Sequence, residues 1–320
     1  MNSFFKDLSF SLNATVPIFV MMVLGWILTK VKILDEQSAR KLSQFSFKIL
    51  LPALLFQDLS NADFISIWDG KFVIFCFAVT VISIFIAFAI SKFYREKSER
   101  GEFIQASYRS SAAVLGIAFV NNIYGSSQMA SLMIIGTVPL YNIIAVIVLS
   151  LTSPEKDKRK SPKEIFLKTF RDVVTNPIII GIALGIIWSL LKIPQPAIFA
   201  KSVSYLANMA SPVSLIALGA LFKVSDAKSK LTVSFVITFI KLILFCALFL
   251  PAAVKLGFTG EKLVAILVML GSATTGSCFV MAKNMGHNGV VTSCAVMITT
   301  LLSSLTLTLW LFILKSMEYI

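Results

Sequence analysis

The stretch Ser107-Tyr-Arg-Ser-Ser-Ala-Ala-Val-Leu-Gly-Ile-Ala-Phe-Val-Asn-Asn-Ile-Tyr-Gly125 decides how the rest of the chain is to be read. It is apolar enough to enter a bilayer, yet it carries an arginine, paired serines, the mid-segment Gly116 and two asparagines. Each of these is costly or helix-weakening in hydrocarbon unless protein shields it or it lines a water-filled cavity. A second stretch echoes it: Gly271-Ser-Ala-Thr-Thr-Gly-Ser-Cys-Phe-Val-Met-Ala-Lys-Asn-Met-Gly286. The expectation is that the two segments face each other at the membrane midplane and hold a solute between them.

Around these segments the chain is greasy throughout. Hydrophobic residues make up 57% of it, charged ones 14%, and phenylalanine alone counts 27, whereas a soluble domain is about a quarter charged. This composition describes an all-α polytopic membrane protein whose first partner is the lipid bilayer. The net charge of +13 does not point to nucleic acid, because the basic residues sit in short runs between apolar segments, as in cytoplasmic loops. Cys76, Cys246, Cys278 and Cys294 lie inside apolar runs without paired spacing, and His287 is the single histidine. No disulfide framework, metal site or cofactor is expected. The N-terminus has only Lys6 before its first apolar run, with no cleavage-site pattern, and reads as a retained span.

Runs of about 17 to 25 apolar residues give ten spans. The first five are Thr15–Leu28, Ala39–Leu59, Phe72–Phe93, Ile104–Tyr124 and Met129–Leu151; the second five are Phe170–Leu191, Ile198–Phe222, Leu231–Leu256, Leu263–Met285 and Val290–Leu314. Of the 29 lysines and arginines, 19 fall in one alternate set of loops, 7 in the other set with the termini, and Lys48, Arg109 and Lys241 inside spans. That bias puts the first set in the cytoplasm and both termini outside the cell membrane. The longest polar connection begins at Thr152, so residues 1–151 and 170–320 are expected to form two five-helix halves joined by a cytoplasmic linker, 152–169.

Shifting the chain by half its length, about 160 residues, places Pro17 on Pro177, Gly25 on Gly185, Lys32-Ile33 on Lys192-Ile193, Lys41 on Lys201, Pro52 on Pro212 and Gly116 on Gly276. Shared greasiness does not align prolines and glycines in register. Because each half has an odd number of spans, the halves insert with opposite topology. Such inverted repeats bind their solute at the repeat interface near the midplane.

Segments broken at Gly116 and Gly276 free backbone N–H groups, and half-helix N-termini suit an anion. Hydroxyls of Ser110, Ser111, Thr274, Thr275 and Ser277 supply further donors, unless these small residues serve only close helix packing. A cation inside a span costs about 2.5 to 3.5 kcal/mol on insertion scales, which argues against idle placement. Lys48 shares a helix face with Pro52, and Arg109 lies near a cytoplasmic end where snorkelling is the alternative. Positive charge without a matching carboxylate implies either an anionic substrate or a lysine standing in the place of a coupling cation. Asn121, Asn122, Asn142 and Asn208, the last being the repeat partner of Lys48, are candidate ligands or interhelical glue. Asp58 reads as a solvated cap and His287 as a solvated loop residue.

With these residues in view, the chain resembles the auxin efflux carrier family, which spans bacterial malonate-permease-like proteins and the plant PIN carriers. The resemblance rests on Asn122-Ile-Tyr-Gly125, Tyr141-Asn142, Phe279-Val-Met-Ala-Lys-Asn-Met-Gly286 and Thr299-Thr-Leu-Leu-Ser-Ser-Leu-Thr306, in that order along the chain. It implies a fold similar to sodium/proton antiporters and bile-acid transporters, with the fourth and ninth spans unwound and crossing. It further implies a scaffold and homodimer face built from the first, second, sixth and seventh spans, the dimer meeting through the second and seventh. The remaining spans, 3–5 and 8–10, would move as an elevator carrying a small carboxylate, with Tyr141 and Asn142 at the site. Where the family often has crossover prolines and an asparagine beside them in the fourth span, this chain has Ser110 and Ser111, with Ala118 at a second proline position and Ser272-Ala273 in the ninth span. The expected function is therefore secondary transport of a small organic anion. A cation or neutral solute on the same fold, or a sensor without turnover, are the other possibilities; an enzyme is not expected.

Overall fold

The computed structural model describes residues 16–17, 19–61, 68–94, 96–112, 119–120, 123–124, 128–153, 167, 170–171, 174–222 and 228–320. Among these the regular structure is helical, and the one β-type pairing is an isolated antiparallel bridge between Ser110 and Thr274. The first half has α1 (Phe19–Lys30), α2 (Glu36–Phe45), α3 (Leu51–Ser60), α4 (Gly70–Ser91), α5 (Arg100–Tyr108) and α6 (Gln128–Thr152). The second has α7 (Pro177–Leu190), α8 (Ala197–Leu221), α9 (Leu231–Phe239), α10 (Phe245–Lys255), α11 (Gly260–Gly271), α12 (Ser277–Asn284) and α13 (Val290–Ser316). Single π-helical turns, Ser46–Leu50 and Ile240–Leu244, join α2 to α3 and α9 to α10.

Helices begin where side-chain acceptors wait. The Asp35 carboxylate takes Ser38 N–H at 2.6 Å, Asp69 takes Phe72 N–H at 3.0 Å, and Asn176 takes Ile178 N–H at 2.9 Å just before Pro177. Among the described residues five helices are long and apolar enough to cross a membrane: α4, α6, α8, the joined α9–α10 (Leu231–Lys255) and α13. Helices α1 and α7 are apolar but shorter. The expected second, fourth and ninth spans carry interruptions, the π-turn at Ser46–Leu50 and breaks after Tyr108 and Gly271.

Two packing neighbourhoods position the site. In one, α1 lies close on α8 and α3 close on α7 because glycines remove the side chain at those two crossings, and α3 also packs on α8. A Cβ on Gly181 would sit 2.6 Å from Pro52 O, and one on Gly185 3.0 Å from Phe56 O; on Gly25 and Gly219 it would collide with Ile216 O and Met22 O. Gly25 on Ile216 and Gly185 on Phe56 are the same contact displaced by the repeat interval. Likewise α1 and α7 both end in left-handed turns, at Lys32 (φ 61) and Lys192 (φ 49). There Ile33 N–H reaches Leu28 O at 3.0 Å and Ile193 N–H reaches Trp188 O at 3.2 Å.

In the other neighbourhood α11 runs through the middle, buried from Leu263 to Gly271 and touching α6, α10 and α13. Glu102 on α5, 1% exposed, caps α13 by accepting from Gly289 N–H (2.8 Å), Thr292 N–H (3.1 Å) and Thr292 Oγ1 (3.1 Å). The same corner corrects the expectation for His287. It is 4% exposed, and its ring nitrogens lie 3.2 Å from Ser98 O and 3.0 Å from Leu149 O. The loop is drawn inward because Gly101 lets the start of α5 approach Thr152 and His287 closely.

Candidate functional site

Helix α5 stops at Tyr108, and Arg109 turns into an extended backbone with φ −77° and ψ 125°. Helix α11 stops at Gly271, Ser272 is extended at φ −75° and ψ 161°, and helix resumes at Ser277. The two extended segments meet antiparallel, with Ser111 N–H donating to Ala273 O at 2.9 Å beside the Ser110–Thr274 bridge. Side chains recover other bonds that a continuous helix would make: Thr299 Oγ1 accepts Thr274 N–H at 3.0 Å, and Thr274 Oγ1 donates to Ala106 O at 2.8 Å. Irregular backbone at this depth is tolerated only when its polar groups are repaired in this way.

Gly276 is not what breaks the ninth segment. Gly276 has ordinary right-handed angles, φ −58° and ψ −24°. Its absent side chain provides room, since a Cβ there would lie 3.1 Å from Leu215 Cδ2 on α8. The interruptions start earlier, at Ser272 and at Arg109. Gly116, with Asn121 and Asn122, lies outside the described residues.

Arg109 is 2% exposed. Its Nη1 donates to Gln105 Oε1 (3.3 Å) and Met281 Sδ (2.8 Å), and its Nη2 to Asn142 Oδ1 (2.8 Å) and Ser277 Oγ (3.0 Å). Asn142 is fixed in that orientation by its Nδ2–H bond to Val138 O at 2.9 Å. All of these partners are neutral. Nε has no hydrogen-bond partner, and among the described residues the guanidinium makes no ion pair.

Lys241, 1% exposed on the π-turn between α9 and α10, approaches the crossing from behind. Its Nζ donates toward Leu270 O (3.0 Å), Tyr108 O (3.3 Å) and Met269 O (3.5 Å), and to Ser110 Oγ. Ser110 Oγ in turn donates to Met269 O.

A cavity of about 110 Å³ opens in front of the crossing. Of the residues singled out in the sequence, Arg109, Ser110, Ser111, Tyr141, Asn142, Thr274, Thr275, Gly276 and Ser277 line it. The facing wall is Leu51, Leu54, Leu55 and Asp58 of α3 with Ser211, Ser214 and Leu215 of α8. Lys241 stands one layer back, joined to the cavity through Ser110. Three residues lie elsewhere. Lys48 is exposed on the outer side of its π-turn, whose inner side is Ser46, Phe47 and Leu50. Pro52 packs against Gly181, and Asn208 is exposed on α8, bonded to Ser204 Oγ at 3.3 Å.

The sequence suggests a solvated cap at Asp58; instead its Oδ2 is buried without a hydrogen bond in the cavity wall. The signal that could have found it is helical spacing, since Leu51, Leu54, Leu55 and Asp58 share one face. Chemically the site offers a buried guanidinium, several hydroxyls and the N-terminal end of α12 at Ser277, groups suited to a small anion, with the Asp58 carboxyl on the facing wall.

The chain is similar to known membrane transport proteins. A family model described as "Membrane transport protein" matches residues 10–311. The chain is 24% identical over 312 residues to a "Putative malonate transporter" of Rhizobium meliloti, covering 94% of each protein. It is 22% identical over 307 residues to an "Uncharacterized transporter" of Methanothermobacter thermautotrophicus, covering 94% of this chain and 97% of that one. It is 25% identical over 243 residues to the "Uncharacterized transporter YfdV" of Escherichia coli K12, covering 74% and 76%.

Proposed function

We propose, from the premise that this chain belongs to the membrane transport protein family, that of the auxin efflux carriers, that it is a secondary transporter carrying a small carboxylate across the cell membrane. One observation carries this. Arg109 is buried in the cavity wall, bonded only to neutral groups, with no ion pair among the described residues. A buried cation left uncompensated is expensive, and a carboxylate that arrives and leaves removes the cost only while it is bound. The name of the Rhizobium meliloti relative makes malonate the first compound to try.

On this reading the spans number ten, in two inverted five-helix repeats, 1–151 and 170–320, joined by 152–169. The fourth and ninth are the broken helices that cross at Ser110 and Thr274. Support comes from the paired contacts of Gly25 with Ile216 and Gly185 with Phe56, and from the matching turns at Lys32 and Lys192. Helices α1, α2–α3, α7 and α8 are the scaffold. The others carry Arg109 and the crossing past them as an elevator, so the α3 and α8 wall of the cavity stays behind. Lys48 and Asn208, exposed on the second and seventh spans, belong to the homodimer face, and both termini are extracytoplasmic.

The test is uptake into proteoliposomes. Purified protein is expected to take up radiolabelled malonate or a related small carboxylate saturably under an ion gradient. Absence of flux for every carboxylate under every gradient refutes the proposal, and ligand-induced thermal stabilisation without flux identifies a sensor instead. Asp58 favours a second reading, in which the solute also carries a hydrogen-bond donor or positive group that meets the unpartnered Oδ2. Amino acids in the same assay separate the two readings.

A further inference from the structure

The crossing gathers oxygen atoms at one point behind the cavity. Helix α5 ends at Tyr108 and α11 at Gly271, so the last carbonyls of two helices converge there. Each such end carries roughly half a negative elementary charge. A cluster of carbonyl and hydroxyl oxygens in a dry interior has the chemistry of a hard-cation site. In this chain the spot is filled from within. Lys241 Nζ lies 3.0 Å from Leu270 O, 3.3 Å from Tyr108 O and 3.5 Å from Met269 O, and it bonds Ser110 Oγ. An ammonium has three N–H donors and no acceptor, so it is matched to a shell made of carbonyls. No carboxylate pairs with it among the described residues. The lysine is delivered by a π-turn, Ile240–Leu244, a local irregularity that re-aims side chains at functional places.

We propose that the Lys241 ammonium is a resident cation that ties the two broken helices together where an alkali-metal ion would otherwise be required, and that removing its side chain exposes a latent sodium or potassium site. Transport by this chain is then independent of any alkali-metal ion bound at the crossing. Alanine at this position leaves the oxygen shell intact and vacates the space of the stem and ammonium. Methionine fills that space with neither charge nor donors.

The experiment follows thermal unfolding of the purified full chain in sodium chloride, potassium chloride and N-methyl-D-glucamine chloride at equal ionic strength. It needs no transported solute, so its outcome is separate from that of the carboxylate proposal. Wild type is expected to unfold at the same temperature, within about 1 °C, in all three salts. Lys241→Ala is expected to lose about 5 °C or more in the organic salt and to regain at least half of it in sodium or potassium. Lys241→Met is expected to lose stability and regain none. The proposal is overturned if wild type is itself stabilised by sodium or potassium, or if either variant matches wild type in the organic salt. It is equally overturned if Lys241→Ala is no better in the metal salts, or cannot be purified in them.

Discussion

Replacing Arg109 by glutamine separates what the guanidinium does for binding from what it does for the fold. A carboxylate against the guanidinium has charges about 4 Å apart; at an effective dielectric of about 20 their attraction is about 4 kcal/mol. Stripping water from the carboxylate takes back part of this, leaving about 2 to 3 kcal/mol, in line with hydrogen bonds to charged groups. That corresponds to a rise of about 30- to 150-fold in half-saturating concentration. The fold should not suffer. Glutamine keeps an amide that can donate to Asn142 Oδ1 or Ser277 Oγ, the groups that now accept from Nη2. It also removes a buried charge that has no ion pair among the described residues, so the unfolding temperature without solute should hold or rise. Arg109→Lys, which keeps the charge without the two-pronged fork, should fall between. The assay is initial uptake rate against concentration for a carboxylate that wild type transports, with thermal unfolding measured on the same preparations. A folded Arg109→Gln protein whose half-saturating concentration stays within about threefold of wild type, where at least ~30-fold is expected, would refute the reasoning.

Three further outcomes rest on other parts of the structure. Glu102→Ala strips the cap from α13 and leaves the Gly289 and Thr292 N–H groups unpaired; a loss of about 3 kcal/mol is expected, less for Glu102→Gln, read by thermal unfolding. Gly181→Ala puts a methyl group 2.6 Å from Pro52 O, and the strain of prising α7 from α3 should cost about 1 to 3 kcal/mol by the same measurement. At the loop leading into α4, the Lys262 ammonium, 2.5 Å from Asp69 Oδ2, and Phe72 N–H hold the Asp69 carboxyl below its usual range. Because that value is depressed in the folded state, the stabilisation is present above the unfolded value of about 3.9 and fades as pH falls through the folded one. Both side chains are partly exposed, at 25% and 38%, which keeps the effect below about 1 kcal/mol. Wild type and Asp69→Asn should thus differ in unfolding temperature by a constant amount from neutral pH to about pH 5, and converge below about pH 4.

The sequence by itself determined the helical, membrane-embedded class, because the bilayer allows a long apolar run few other structures. It also determined the pair of segments where helix would be hard to sustain, because arginine, serines and threonines inside such a run need partners that a lone helix in lipid does not provide. It could not determine which side of each helix faces inward. Depth along a span can be counted from residue numbers, but direction around its axis is set by what packs against it. Lys48 lies deep along its span, yet the π-turn at Ser46–Leu50 leaves it on the outer side, while Asp58, near the end of its helix, stands in the cavity wall. The points of breakage were also a tertiary matter. Gly276 keeps right-handed angles just ahead of Ser277, and the chain opens instead at Arg109 and Ser272, where Thr299, Ala106 and Lys241 wait on other segments to take up the freed backbone and side-chain groups. A helix yields where its lost hydrogen bonds can be replaced, and those replacements come from residues up to 168 positions away along the chain, which only the assembled fold brings within reach.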